Sequence, residues 1–265
     1  MVTYPKHGLR MAELWLDAPI AKPEGCDLLL LYQYRAVPAE AVGSPFSTLV
    51  LDLEVSEEAL LQGLNRETKY QVRRAPTKAT VECIHEPLAS DEVCHRFHAF
   101  YNEFAAAKGL AGLALPPLLA RARGATLHFS RAVLGGATVV WHVHVVTQDR
   151  AALLYSASQF RNLDDGDARA NVGRANRLLH WSDILAFKAQ GKKVYDFGGW
   201  YTGTEDESLL RINQFKQGFG GTRTQQVNAA LALSWRGWLY LQLRQHFSQG
   251  QRKAIRQKLL GLVGR

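Results

Sequence analysis

The chain has 265 residues, 47% of them hydrophobic and 21% charged, which is enough apolar material for a packed core and too much for wholesale disorder. The three cysteines, Cys26, Cys83 and Cys94, lie far apart without a CxxC pair, which excludes a disulfide scaffold and fits reduced, mostly buried thiols. The formal charge of +8 is uneven: ten Lys and Arg residues lie between Ser208 and Arg265, where there is no Asp or Glu, so all 24 acidic residues precede that stretch. Such asymmetry points to an anionic partner (a phosphate-bearing substrate, RNA or an anionic membrane surface) or to a basic helix that only aids solubility. No stretch approaches the roughly 18 uninterrupted apolar residues of a membrane span. The segment Met1–Leu16 interrupts its apolar positions with Lys6, Arg10 and Glu13 and offers no signal-peptide core. A cytoplasmic location is expected, with peripheral attachment to the inner membrane face left open.

In chain order, Cys26–Arg35 and Thr48–Val55 read as strands, the second alternating and followed by a helix signal at Ser56-Glu57-Glu58. Glu58–Arg74 has apolar residues at helical spacing and is expected to stop before Pro76. A short strand at Thr80–His85 precedes a helix capped by Ser90 and running to about Lys108, with Val93, Phe97, Phe100, Tyr101 and Phe104 as its buried stripe. A short helix follows Pro116-Pro117. Thr126–Leu134, Ala137–Thr147 and Ala151–Gln159, separated by Gly135-Gly136 and Gln148-Asp149-Arg150, form a meander. A polar loop from Arg161 to Arg169 then leads to a helix over Gly173–Gln190, a buried strand at Lys193–Phe197, a helix or turn from Glu205 to Phe215 and a last strand over Thr222–Leu233.

The element order is α+β, not a doubly wound sheet or a barrel. From residue 90 onward it matches the layout of the GNAT acyltransferase fold, a mixed, mainly antiparallel sheet flanked by helices. The segment before it reads as an N-terminal elaboration or a partial second GNAT-like copy. The expected division is 1–89, 90–233 and a basic helical tail over 234–265.

There is no GxSxG elbow, no P-loop and no GxGxxG after a strand, which argues against hydrolase, kinase and dehydrogenase chemistry. His142 and His144 lie two apart on one strand and so share a face, but no third ligand at suitable spacing is evident and no metal is expected. Asn171, Gly173, Arg174 and Ala175 stand where a helix is expected to begin, and free N–H groups of a helix N-terminus bind phosphate. They read as a donor-binding loop or as an ordinary helix start.

The strand Val194-Tyr195-Asp196-Phe197-Gly198-Gly199 is followed about twenty residues later by Phe215-Lys216-Gln217-Gly218-Phe219-Gly220-Gly221. Together with Arg174–Trp181 and the basic helix Leu64–Arg74, this order resembles the FemAB-like branch of the GNAT superfamily. The resemblance implies transfer of an acyl or aminoacyl group to an amine, with Lys216 at the active site. It implies no tightly bound cofactor: acyl-CoA is the favoured co-substrate and aminoacyl-tRNA the alternative. The long helical-hairpin arm of the tRNA-using members is missing.

Asp196 ends a buried strand and reads either as a base for the incoming ammonium or as a structural carboxylate bonding the Gly198-Gly199 backbone. Trp200 and Tyr201 could stack on an acceptor or pack. His180 reads as acceptor-binding or core, and Lys69 and Arg73 as a clamp for acceptor phosphates or a solvated face. In the tail, Trp235, Trp238, Leu239, Leu243 and Phe247 accompany basic residues as in an interfacial helix, with RNA contact or docking on the body as alternatives. The resemblance and the basic chain end together point to an N-acyltransferase acting on a nucleotide- or lipid-linked amine of a cell-envelope or polysaccharide precursor. A non-catalytic module binding RNA or membrane stands as the non-enzymatic alternative.

Overall fold

The computed structural model describes residues 1–78, 80–86, 89–124, 127–159 and 165–244. Two compact units are present, one of Phe46–Gln226 and one of Met1–Pro45 with the chain from Val227 onward. This division differs from the 1–89, 90–233 and 234–265 expected from sequence. The last strand returns to pair with an N-terminal one, and no local pattern announces such a pairing between distant segments.

In the smaller unit, β1 (Val2–Lys6) and β2 (Leu9–Trp15) form an antiparallel hairpin. Its two turn residues, His7 and Gly8, both have positive φ (53° and 72°), the requirement of a type I′ turn whose twist suits the strands. This hairpin has no counterpart among the expected elements; its only sequence signal is the His7-Gly8 pair. β2 runs parallel to β3 (Leu28–Tyr34), and β3 pairs antiparallel with β10 (Thr222–Ala232). Leu14, Leu29, Leu31, Tyr34, Ala229 and Leu231 close a core of their own.

The larger unit carries β4 (Val42–Asp52) from Phe46 onward, β5 (Val81–Glu86), the expected meander β6 (Leu127–Leu134), β7 (Ala137–Val146) and β8 (Arg150–Ser158), and β9 (Val194–Gly199). In space the order is β4-β9-β8-β7-β6-β5, antiparallel except for the parallel pair β8/β9. The helices are α1 (Glu57–Gly63), α2 (Arg66–Lys78), α3 (Asp91–Ala107), α4 (Leu115–Arg123), α5 (Gly166–Ala189) and α6 (Glu207–Gln217). Ile184 and Phe187 of α5 pack with Leu51, Tyr195, Phe197 and Phe219, while Val172, Ala175 and Leu179 pack on Val140. Ser90 caps α3 as expected, accepting the Val93 N–H at 3.2 Å.

Three local expectations change. Glu58–Arg74 is two helices, because Asn65 breaks the run: its side chain caps α2 through the Thr68 N–H (2.8 Å) and its own N–H donates to the Gly218 carbonyl (2.9 Å). α2 continues through Pro76 to Lys78, since a proline near a helix end removes one hydrogen bond without forcing a stop. The helix expected from Gly173 begins at Gly166, because Asp165 caps it by accepting the N–H groups of Asp167 and Ala168. Residues 161–164 of the expected loop and the tail from 245 onward lie outside the described residues.

The Gly198 of the Asp-Phe-Gly-Gly turn marks the point that positions everything below. Its φ is +70°, and a β-carbon there would fall 2.6 Å from the Leu153 carbonyl oxygen. Gly198→Ala is therefore expected to destabilise the fold by at least about 2 kcal/mol, from positive φ and backbone overlap together. A denaturant midpoint unchanged from the parent would contradict this close approach.

Candidate active site

The parallel strands β8 and β9 are paired at three positions only: Arg150 with Val194, Ala151 with Tyr195 and Ala152 with Asp196. Beyond these, β8 continues from Leu153 to Ser158 without pairing to β9, so backbone N–H and C=O groups along that edge are left for another partner. A cleft of about 590 Å³ opens there. Leu153, Tyr155, Ser156, Phe197, Gly198 and Gly199 line it from the sheet, Asn176 and His180 from α5, and Ile212, Phe215 and Lys216 from α6; Tyr101 and Phe104 of α3 close one side.

Asp196 stands at the parting point. Its carboxylate is fully buried and accepts the Gly198 N–H (2.7 Å), the Thr48 hydroxyl and the Arg150 guanidinium. Thr48 Oγ1 also lies 2.8 Å from the Gly198 carbonyl, and Arg150 reaches Gln226 Oε1 at 3.1 Å. With these bonds made, Asp196 is the structural carboxylate of the two readings open in the sequence.

Lys216, the residue singled out by resemblance, lines the cleft and donates from Nζ to the Gly199 carbonyl at 2.5 Å. Desolvation pushes its pKa down to about 8, against the pull of nearby Asp196 toward the charged form. His180 also lines the cleft, beneath Phe197, Phe215 and Phe219, with ring centroids 5.2–5.5 Å away. Burial first, then neighbouring histidines, Lys216 and Arg177, hold its pKa well below the usual value, so the ring is neutral.

Behind His180 stands a buried polar layer that sequence reading missed. The Tyr195 hydroxyl lies 3.0 Å from His180 Nδ1 and 3.2 Å from His144 Nε2. One hydroxyl proton serves one ring, so the other ring presents its own N–H to the oxygen. His142 Nδ1 is 2.7 Å from Asp183 Oδ2, and its Nε2 is 3.0 Å from Asn176 Oδ1 at the cleft wall. His85 joins Ser182 (2.8 Å) and His128 (3.2 Å). Burial lowers His144 to about 3 and His128 to about 4. Burial alone would raise Asp183; the surrounding imidazoles outweigh it and keep the carboxyl below its ordinary range. His142, His144 and Asp183 bring one donor atom each within 4.8 Å of one another, the one group of this kind among the described residues able to hold a cation. The third member comes from α5, so strand spacing alone could not reveal it.

Other expected site residues fall elsewhere. Asn171, Gly173, Arg174 and Ala175 are in the second and third turns of α5, where backbone N–H groups are committed to carbonyls one turn back and cannot cradle phosphate. Arg174 instead bonds Gln71 (3.0 Å) and Asn171 (2.5 Å). Lys69 and Arg73 lie on α2 and are not among the residues lining the cleft. Trp200 packs against the core with Arg223 over its ring at 5.8 Å, and Tyr201 bonds Asn213 and lines a separate shallow recess. The sequence signal for the missed Asn176 was its place one helical turn before His180 on the same face.

No family model and no curated protein matches the sequence. Among solved structures, FemX superposes with a TM-score of 0.57 at 11% identity over 74% of this chain; the match spans 63% of FemX, less than two thirds. The DUF2156 C-terminal domain assigned to a lysylphosphatidylglycerol synthetase from Agrobacterium fabrum gives 0.51 at 11% identity, covering 82% of this chain and 71% of that one. L-PGS from Bacillus licheniformis gives 0.50 at 11%, covering 82% and 72%. The chain has the fold of these proteins, in the α+β class expected from its element order.

Lys216 yields a pH signature. Its folded pKa of about 8 lies below the roughly 10.4 of an unfolded lysine, so between those values the unfolded state binds more protons and stability rises with pH. Comparing unfolding midpoints across that window, the parent minus Lys216→Met difference is expected to climb with pH. A flat difference would place the ammonium in water.

Proposed function

We propose that this chain is an N-acyltransferase whose reaction takes place in the cleft between β8 and β9, with Lys216 and His180 as its acting groups. The observation that carries the reading is the parted parallel pair, which puts an unpaired strand edge, a half-buried cation and a neutral imidazole around one space. The unpaired edge suits an extended amide-bearing donor laid along β8. Attack of the amine nitrogen on the donor carbonyl forms the C–N bond and an oxyanion, which the Lys216 ammonium stabilises in a desolvated site. Once that bond forms, the nitrogen sheds its proton to His180, and collapse of the oxyanion breaks the bond to the leaving thiol or hydroxyl, which takes up a proton.

Acyl-CoA onto an amino group of a cell-envelope precursor is the first reading, and the FemX and lysylphosphatidylglycerol synthetase likenesses in fold support the envelope setting. An aminoacyl-tRNA donor is the second. It gains from the placement of residues 171–175 inside a helix, which removes the expected pyrophosphate cradle.

Thermal unfolding with acetyl-CoA, longer acyl-CoAs, free CoA and UDP-amino sugars tests the donor. A ligand at 100 times its Kd adds about 2.7 kcal/mol. A shift with CoA species that transfers no acyl group in Lys216→Ala, at retained CoA binding, supports the first reading. No shift with any of them, together with RNase-sensitive aminoacyl transfer, selects the second. Full transfer activity in Lys216→Ala would remove the site assignment.

A further inference from the structure

The smaller unit carries a surface that the proposed chemistry does not use. Residues 235–244 form a helix whose start is tied down. The Ser234 hydroxyl donates to Asp27 Oδ1 (2.6 Å) and accepts the Gly237 N–H (3.2 Å). At Gly237 the helix backbone lies so near the body that a β-carbon would fall 2.0 Å from the Asp27 carbonyl oxygen. Leu241 is buried and Tyr240 stacks on His7 of the β1–β2 turn, ring centroids 6.1 Å apart. One face is therefore anchored.

The remaining face is apolar and bare. Trp235 is 74% exposed, Trp238 57%, Leu239 43% and Leu243 49%, spaced as one stripe along the helix. Two indoles held in water at neighbouring turns of an anchored helix are unusual for a surface without a partner. Beside the stripe, an open recess of about 610 Å³ is lined by Arg10, Arg236, Asp27, Tyr4, Gly8 and Gly25. Asp27 is already engaged by Ser234 and by the Arg10 N–H (2.9 Å), while Arg236 donates to the Gly8 carbonyl (2.6 Å), an arrangement that holds its guanidinium at the rim. Lys6 and Arg244 are exposed on the same unit, and the sequence beyond 244 adds Arg252, Lys253, Arg256, Lys258 and Arg265 without an acidic residue.

From this juxtaposition we infer that the smaller unit docks on an anionic lipid bilayer, with Trp235, Trp238, Leu239 and Leu243 entering the interface and the Arg10–Arg236 recess receiving a headgroup phosphate. Indoles favour the headgroup level of a bilayer, and leucines gain from hydrocarbon, whereas leucines contribute nothing to stacking on nucleic-acid bases. The basic surroundings supply the preference for negative lipids. Among the described residues no helix is long and apolar enough to cross a membrane, so this contact is one of surface binding. The inference stands independently of the acyl-transfer reading.

Co-sedimentation of the full chain with vesicles tests it, using phosphatidylcholine alone and phosphatidylcholine mixed with phosphatidylglycerol. Binding to the mixed vesicles only, with a blue shift of tryptophan emission, is expected. The pair Trp235→Ser and Trp238→Ser removes both; the two residues are exposed, so the variant keeps the parent's unfolding midpoint. The pair Arg10→Gln and Arg236→Gln weakens vesicle binding roughly thirtyfold, as expected for two cations near an anionic surface. No sedimentation with phosphatidylglycerol vesicles overturns the inference, as does binding that survives loss of both indoles. It is equally overturned if the parent binds RNA instead of vesicles, or if it is a dimer by light scattering that the Trp235/Trp238 variant abolishes.

Discussion

The fully buried carboxylate of Asp196 is the constraint on which the larger unit depends. A charge taken out of water persists only if it is paired and hydrogen-bonded, and here the partners come from three strands: Thr48 on β4, Gly198 on β9 itself and Arg150 on β8. Removing one partner from such a group typically costs about 3–5 kcal/mol, because the charge is left uncompensated. These bonds hold β9 between β4 and β8 as far as Ala152, the last paired position. Just beyond it β8 shifts register against β7 and Gly198 turns to positive φ, so the cleft opens where the satisfied carboxylate, the bulge and the glycine meet.

The chemistry of the cleft then follows from what surrounds it. Phe197, Phe215 and Phe219 keep water from His180, and that desolvation holds the ring neutral while drawing the Lys216 pKa down toward neutrality. A neutral base and a cation side by side suit a reaction that moves a proton and develops negative charge on oxygen. Neither ring nor ammonium is free to drift. His180 is fixed through Tyr195 to His144, and Asn176 through His142 to Asp183, so both α5 residues facing the cleft are oriented by the layer behind them.

The two units have different surfaces as well as separate cores. The larger one presents a cleft whose lining charges, Lys108, Arg211 and Lys216, are all basic. The smaller one displays its largest aromatics to solvent on an anchored helix, with arginines around them. These surfaces belong to parts of the chain that form separate compact units.

Much of this was present in local sequence. Alternation with Gly135-Gly136 and Gln148-Asp149-Arg150 turns determined the meander and Ser90 determined the start of α3, because turns and caps act over a few residues. Lys216 came forward through the resemblance carried by its motif. Trp235, Trp238, Leu239 and Leu243 were likewise legible as a stripe from their helical spacing. What the sequence left open depended on partners far along the chain. Asp196 found its partners in Thr48 and Arg150, and Trp200 packed against the core, where neither partner nor core is local in sequence. The two strand histidines acquired Asp183 only when α5 crossed their sheet, and the helix N-terminus expected near Gly173 moved once Asp165 captured the first free N–H groups. Local patterns specify elements, whereas the satisfaction of buried charge is settled between elements, and only the tertiary structure brings those groups within hydrogen-bonding distance.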